Sequence, residues 1–185
     1  MEILKLTPEE IRRRQPELEA LLADSVEHGA SIGFTLPLSA DEVGAYWRKV
    51  CDDVAAGTRL LLAAVDEGGR IAGSAQLALE TRANGRHRAE VQKVMVFAAG
   101  RERGTGAALM RRLEDEARNL GRTLLHLDTS VGSGGAGRFY EKLEYTCAGG
   151  IPDFAADPDG TLKPNAIYFK RLAAAAPQGA RPAGS

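Results

Sequence analysis

The sequence predicts a mixed α/β fold in which an antiparallel strand meander is followed by β-α-β-α-β crossover units. Helical patterns with capping signals occupy the N-terminal part, and three strand patterns separated by turn signals follow in residues 60–97. Beyond them, helical and strand patterns alternate, which is typical of strands joined by crossover helices. At 185 residues the chain has the length of one domain, and we expect residues 1–172 to form it.

The N-terminal part predicts one short strand and two helical regions. Residues 2–6 alternate in polarity as an edge strand does, and Thr7 is a candidate N-cap with proline directly after it. Pro16 predicts that the first helix kinks or restarts. Ser39 has capping-box spacing to a glutamate three residues on, which predicts a helix that extends to about Ala56.

Glycines and turn residues delimit the remaining elements. Asn84-Gly85 is typical of a hairpin turn, and residues 152–164, with three prolines and three aspartates, predict a loop. Residues 173–185 are low in complexity and predict a disordered tail. The predicted strands are residues 60–65, 71–81, 88–97, 123–129, 145–151 and 166–172, and the predicted later helices are residues 105–120 and 136–143.

Composition excludes several classes of function. Lys plus Arg is 24 and Asp plus Glu is 25, so the net charge of -1 does not favour a nucleic-acid partner. No apolar run reaches the roughly 20 residues that span a bilayer, and the N-terminus lacks the pattern of a signal peptide. Cys51 and Cys147 lack the spacing of metal ligands, so we expect reduced thiols, no metal and a cytoplasmic protein.

The most informative segment is a strand, a glycine-containing turn and a helix start around residues 94–110. Gly104 and Gly106 remove side chains that would block a phosphate, and Arg101 and Arg103 add positive charge at the rim. Together they predict a pyrophosphate cradle. The Gly-Lys-Ser/Thr of a nucleotide-hydrolysing P-loop is missing, so NTP hydrolysis is not expected. The alternative is a solvated, arginine-rich loop with a glycine for its turn.

These residues resemble a known signature. Arg101-x-x-Gly104-x-Gly106 after an apolar strand is similar to the acetyl-CoA motif of the GNAT N-acetyltransferase superfamily, and the resemblance extends over about residues 2–172. Asp128-Thr129 and the run from Ser133 to Tyr145 resemble a later motif of the superfamily, which often has Asn where Ser133 stands. Residues 87–95 and the segments LLHLDT and AIYFK resemble more narrowly the acetyltransferases of tabtoxin resistance.

The resemblance implies a GNAT-like fold and acetyl-CoA as co-substrate. It implies that a β-bulge splays the strand at residues 94–97 from its neighbour, and that an amine attacks the thioester directly, without an acyl-enzyme. Backbone groups of Val94, Met95 and Val96 would pair with the pantetheine arm. The remaining implied cofactor contacts are Arg101, Arg103, Gly104, Thr105, Gly106 and Ala107 at the pyrophosphate, and Asp128, Thr129 and Ser133 from the later motif.

Direct attack needs a neutral amine, whereas an alkylammonium with a pKa of about 10.4 is mostly protonated at pH 7. Glu90 is the candidate base, and Gln92 faces the same side, where it could orient a water or bind substrate. The alternative for Glu90 is an ion pair with Arg88 or Lys93 on a solvated face.

Tyr140 matches the superfamily's general acid. A phenol is protonated at neutral pH and could give its proton to the departing thiolate. The alternative is core packing of the Phe139 and Tyr140 rings.

The resemblance makes a small-molecule amine the expected acceptor. An amino-acid-like antimetabolite of the tabtoxinine-β-lactam type is one candidate, which would give the protein a role in antibiotic or toxin resistance. Phe34, Gln92 and Asp153 are candidate substrate residues. We expect a monomer or homodimer.

Two other functions compete. Gly132-x-Gly134-x-x-Gly137 satisfies a dinucleotide-binding fingerprint, with Asp153 about 20 residues on, and would make the chain an NAD-dependent oxidoreductase. The predicted helix is short for that fold, Asp153 lies in a predicted loop, and too few residues follow for a nucleotide domain. The second alternative is a non-catalytic module that binds acyl-CoA through the same loop.

Overall fold

The computed structural model describes residues 1–132 and 135–173. Its helices are α1 (Pro8–Arg13), α2 (Gln15–Glu27), α3 (Ala40–Ala55), α4 (Thr105–Asn119) and α5 (Ala136–Lys142). Its strands are β1 (Glu2–Lys5), β2 (Arg59–Val65), β3 (Ile71–Leu79), β4 (Arg88–Val96), β5 (Leu124–Ser130), β6 (Thr146–Gly149), β7 (Ala155–Ala156), β8 (Leu162–Lys163) and β9 (Asn165–Arg171). Within these described ranges, none of the helices is long and apolar enough to cross a membrane.

Capping signals position the N-terminal helices as predicted. The Thr7 hydroxyl accepts a hydrogen bond from the Glu10 amide at 3.3 Å, and the Glu10 carboxylate accepts one from the Thr7 amide at 2.8 Å. The helix ends at Arg13 and restarts at Gln15, beside Pro16. The start of α1 therefore follows from local hydrogen bonding, and the break before α2 follows from proline's lack of an amide hydrogen.

Seven strands form one mixed sheet in the order β1-β2-β3-β4-β5-β9-β6. Every neighbouring pair is antiparallel except β4 and β5, which are parallel and are joined through α4. The predicted meander and crossover fold is confirmed. Because β9 lies between β5 and β6, the second crossover through α5 joins strands that are not neighbours.

The turn predicted at Asn84-Gly85 joins two antiparallel neighbours, β3 and β4, and Ala83–Gly85 forms a 3-10 turn within this connection. The Glu80 carboxylate holds this connection by accepting hydrogen bonds from Arg82 at 2.7 Å and Arg88 at 2.8 Å. Residues 152–164 are not loop throughout, because they contain the small antiparallel β7–β8 pair.

The sheet separates two apolar cores. Leu60, Leu62 and Ala64 of β2 face the layer that contains α4, whereas Leu61 and Ala63 face the layer formed by α1, α2 and α3. This alternation follows from the two-residue period of a strand. Both faces of the central strands are therefore covered by helices. A ligand-binding site can form at the ends of β4 and β5.

Candidate active site

Strand β4 carries a β-bulge. Its register with β3 shifts between Ser74 and Gln76, so that two residues of β4 oppose one residue of β3. One of the two, Lys93, has a left-handed φ of 49°, which residues other than glycine rarely adopt. The bulge inverts the side-chain alternation, because Val91 packs in the core beside α4 and Met95 packs in the core beside α1–α3.

Strands β4 and β5 diverge after Glu90. Their parallel pairing joins only residues 88–90 to residues 124–126, although both strands continue beyond that point. A cleft with a volume of about 1080 Å³ is lined by both diverging strands. Backbone groups of β4 beyond Glu90 have no partner on β5, so they are available to an extended ligand.

The turn before α4 brings unpaired backbone amides to this cleft. Glu102 and Gly104 have left-handed φ angles of 65° and 83°, and the Gly104 carbonyl accepts from the Ala108 amide at 3.0 Å. The amides of residues 105–107 precede this bond and have no intrahelical acceptor. All three residues line the cleft. The partial positive charge of the helix end therefore lies at the cleft wall and favours an anion.

Gly106 keeps this helix end open. A Cβ atom at Gly106 would lie 3.3 Å from the Phe139 ring, which also lines the cleft. A larger side chain would therefore have to displace Phe139 or occupy the space in front of the amides. The cradle thus has room for a phosphate because residue 106 has no side chain.

Glu90 lines the cleft at the point where the strands diverge. The alternative of an ion-paired surface glutamate does not match the structure, because Arg88 pairs instead with Glu80 at 2.8 Å. Over the described part of the chain, no cation lies within ion-pair distance of Glu90, whose carboxylate is therefore available to a ligand.

Tyr140 lies in α5 and contributes to the cleft wall, although its side chain is largely buried. Its ring packs against Phe139, Tyr145 and Tyr168 at centroid distances of 5.1, 6.0 and 5.8 Å. Burial raises the pKa of the Tyr140 phenol above its ordinary value, and the nearby Asp128 carboxylate acts in the same direction. The phenol is therefore held in its neutral, proton-donating form.

A buried polar network supports the cleft from the α3 side, and it was not predicted. Arg59 donates from Nη1 to both Gln76 and Gln92 at 2.7 Å, and from Nε to Asp53 at 3.2 Å. Tyr46 donates to the same Gln76 oxygen at 3.0 Å. The only signal was the presence of polar residues in otherwise apolar strands.

Most residues that the sequence analysis proposed come together at this cleft. Its wall includes Glu90, Gln92, Val94, Met95, Val96, Arg101, Gly104, Thr105, Gly106, Ala107, Asp128, Thr129 and Tyr140. Arg103 is exposed on the loop and does not line the cleft, and Ser133 lies outside the described residues.

The structure places two of the three candidate substrate residues away from the wall. Phe34 is 6% exposed and packs edge-to-face on Tyr46 at 5.4 Å, within the core beside α1–α3. Asp153 does not line the cleft, although the next residue, Phe154, does. Of the three, Gln92 lies on the wall.

Gly137, the last glycine of the dinucleotide fingerprint, has another explanation. A Cβ atom at Gly137 would lie 2.8 Å from the Tyr168 hydroxyl, so this glycine allows α5 to pack closely on β9. Helix α5 has 7 residues, and Asp153 precedes the β7–β8 pair instead of ending a strand of the main sheet. Gly134 lies outside the described residues. In residues 1–132 and 135–173, no cluster of His, Cys, Asp or Glu could hold a metal ion.

Comparisons with known proteins agree with this geometry. Residues 23–145, more than half of the chain, match the model of the acetyltransferase (GNAT) family. The fold is similar to that of the ribosomal-protein-alanine N-acetyltransferase from Brucella melitensis, with 21% identity and a TM-score of 0.76 over 93% of this chain and 100% of that one.

Two further solved structures have the same fold. The acetyltransferase yncA from Salmonella typhimurium, solved with its cofactor acetyl-CoA, has 20% identity and a TM-score of 0.74 over 98% of this chain and 99% of that one. A protein whose name gives phosphinothricin as its substrate has 20% identity and a TM-score of 0.73 over 93% of this chain and 99% of that one.

Proposed function

This chain belongs to the GNAT acetyltransferase family, and from that premise we propose that it transfers the acetyl group of acetyl-CoA to the amine of a small molecule. The observation that carries the proposal is the cleft between β4 and β5, which runs from Glu90 to the open N-terminus of α4. A carboxylate and an anion cradle thus share one cavity. Residues 1–172 form the proposed single acetyltransferase domain.

Acetyl-CoA fits the residues of this cleft, and it would supply an acetyl group activated as a thioester. Val94, Met95 and Val96 would pair their free backbone groups with the pantetheine arm, beyond the point where β5 separates from β4. The amides of residues 105–107 would hold the pyrophosphate, with Arg101 beside them. Asp128 and Thr129 would complete the wall on the β5 side.

Glu90 and Tyr140 would manage the protons of the transfer. The Glu90 carboxylate takes a proton from the substrate ammonium, directly or through a water, and the neutral amine then forms the carbon–nitrogen bond as the carbon–sulfur bond breaks. The neutral Tyr140 phenol donates a proton to the departing sulfur. The nitrogen releases its second proton to solvent as the amide forms, and Tyr140 regains a proton from solvent. Because the amine attacks the thioester directly, the transfer needs no covalent enzyme intermediate.

For the acceptor, we propose an amino-acid-like antimetabolite of the tabtoxinine-β-lactam type. The support is the narrow resemblance in residues 87–95 and the similar fold of the protein named for phosphinothricin, which is also an amino-acid-like compound. A role in resistance to such a compound, in the cytoplasm and as a monomer or homodimer, belongs to the same proposal.

Gly106→Val is expected to weaken CoA binding by about 10- to 100-fold, because the added methyl groups block contacts between phosphate oxygens and the helix amides. Calorimetric titration with CoA measures the change. Ala108→Val is the matched control, since it places the same β-branched residue one position outside the cleft wall. Equal loss of affinity in both variants would assign the effect to helix stability.

The function is tested with a panel of amines and acetyl-CoA, following release of free CoA thiol. The panel holds amino acids, phosphinothricin, polyamines, aminoglycosides and a peptide with N-terminal alanine. We expect amine-dependent thiol release, and saturating CoA should raise Tm by about 5–10 °C. Stabilisation by NADH and not by CoA would favour the oxidoreductase alternative. CoA binding without turnover of any amine would favour the non-catalytic module.

A further inference from the structure

Lys93 occupies an unusual place in the cleft. Regular alternation after Ala89 and Val91 would turn residue 93 into the apolar core beside α4, but the bulge turns it away. Its ammonium group lies instead over the Tyr46 ring of α3, 5.7 Å from the centroid. A Cβ atom at Gly33 would lie 3.4 Å from the same nitrogen, so the α2–α3 connection closes over this cation. Lys93 therefore faces the side of β4 opposite α4.

The Lys93 ammonium is not used in an ion pair within the described chain. The nearby cation Arg59, by contrast, is bound to Asp53 at 3.2 Å. Burial lowers the pKa of Lys93, and Arg59 acts in the same direction, whereas Asp128 and Glu90 oppose the shift. A half-buried cation in these surroundings gains most from an oxyanion supplied by a ligand.

The side-chain amide of Gln92 provides hydrogen-bond donors next to the Lys93 ammonium. Arg59 Nη1 donates to the Gln92 side-chain oxygen at 2.7 Å. A guanidinium has donors only, so this contact fixes the oxygen toward Arg59 and leaves the amide NH₂ group of Gln92 for another acceptor. Gln92 lines the cleft, and in the described chain no acceptor binds that NH₂ group. Two donor groups thus lie on the same part of the wall.

We propose that Lys93 and the Gln92 amide bind an oxyanion of the acceptor, so that the enzyme selects amines that also carry an acidic group. The inference rests on the proposed function and narrows its substrate class to compact zwitterions. Glu90 and Gln92 lie two positions apart on one strand face, which separates them by about 7 Å. A small amino acid spans this distance with its amine toward Glu90 and its carboxylate or phosphinate toward Gln92 and Lys93.

The test compares acidic acceptors with neutral ones in wild type, Lys93→Met and Lys93→Arg. Each α-amino acid, and phosphinothricin, is compared with its carboxamide. Phosphinothricin is also compared with its phosphinate ester, so that the contributions of its carboxylate and its phosphinate can be told apart. We expect wild type to favour the acid over the amide by about 10- to 100-fold in kcat/KM. Lys93→Met should reduce this preference to about twofold or less, and Lys93→Arg should retain most of it. The α-amine of the carboxamide is less basic than the α-amine of the acid, so more of it is neutral at a given pH. Amine basicity therefore cannot produce the expected preference for the acid.

Binding to the CoA-loaded protein separates this inference from the proposed function, because it requires no turnover. Acid-over-amide preference that disappears in Lys93→Met supports the inference even when no acetyl transfer occurs. Equal affinity of wild type for acid and amide overturns it. A Lys93→Met defect of the same size on acids and amides, also seen in Lys93→Gln, would overturn it and show a structural role.

Discussion

Replacing Glu90 with glutamine is expected to lower kcat by about 10²- to 10⁴-fold while leaving CoA affinity unchanged. Glutamine has nearly the same shape, but it cannot accept the proton that the substrate ammonium must lose before the neutral amine attacks. Glu90 lies where β4 leaves β5 and has no ion-pair partner in the described chain, so the substitution breaks no ion pair. The defect should shrink as pH rises toward the amine's own pKa of about 10.4, because bulk solvent then supplies the neutral amine.

The measurement is kcat against pH between about 6 and 10, alongside CoA titration. Glu67→Gln, in the exposed β2–β3 turn, is the surface control. Asp128→Asn is the informative comparison, since this carboxylate also lines the cleft. A large loss of kcat in Asp128→Asn together with normal kcat in Glu90→Gln would identify Asp128 of β5 as the general base. A pH-independent defect in Glu90→Gln would assign Glu90 to substrate positioning.

Local chemistry explains which parts of the fold could be predicted. Thr7 and Ser39 precede helices with the spacing of a cap, and Pro16 marks the helix restart, so each signal lies within a few residues of its effect. Gly104 gives the same kind of signal for the turn before α4, where it adopts a φ of 83°. The cradle and its strand were therefore visible in one short segment.

The remaining parts of the site depend on contacts between distant segments. The resemblance implied a β-bulge in this strand, but no local signal marked its position at Lys93, which has none of glycine's freedom at positive φ. The Arg59 network joins β2, β3 and β4 and carries no local pattern. Phe34 was a candidate substrate residue, but tertiary packing places its ring edge-to-face on Tyr46.

Tyr140→Phe is expected to lower kcat by about 10²-fold with little change in the free energy of unfolding. The raised pKa of the phenol keeps it protonated through neutral pH and beyond its ordinary value of about 10, so wild type retains its acid across that range. The leaving thiol has a pKa of about 8.5, so its thiolate departs with less need of a proton than a more basic group would. The loss of kcat in Tyr140→Phe should therefore lie at the lower end of the range for general acids. It should diminish at pH values above the pKa of the leaving thiol.

Tyr145→Phe provides the matched control, because Tyr145 belongs to the same ring cluster but does not line the cleft. If Tyr140 contributed only packing, its ring alone would support turnover, and both Tyr140→Phe and Tyr145→Phe would keep wild-type kcat. Tyr140→Leu separates the two contributions, since it removes ring and hydroxyl together and should also destabilise the protein by roughly 1–3 kcal/mol. A kcat that falls only in Tyr140→Leu, in parallel with stability, would overturn the acid role and leave Tyr140 as a core aromatic residue beside the site.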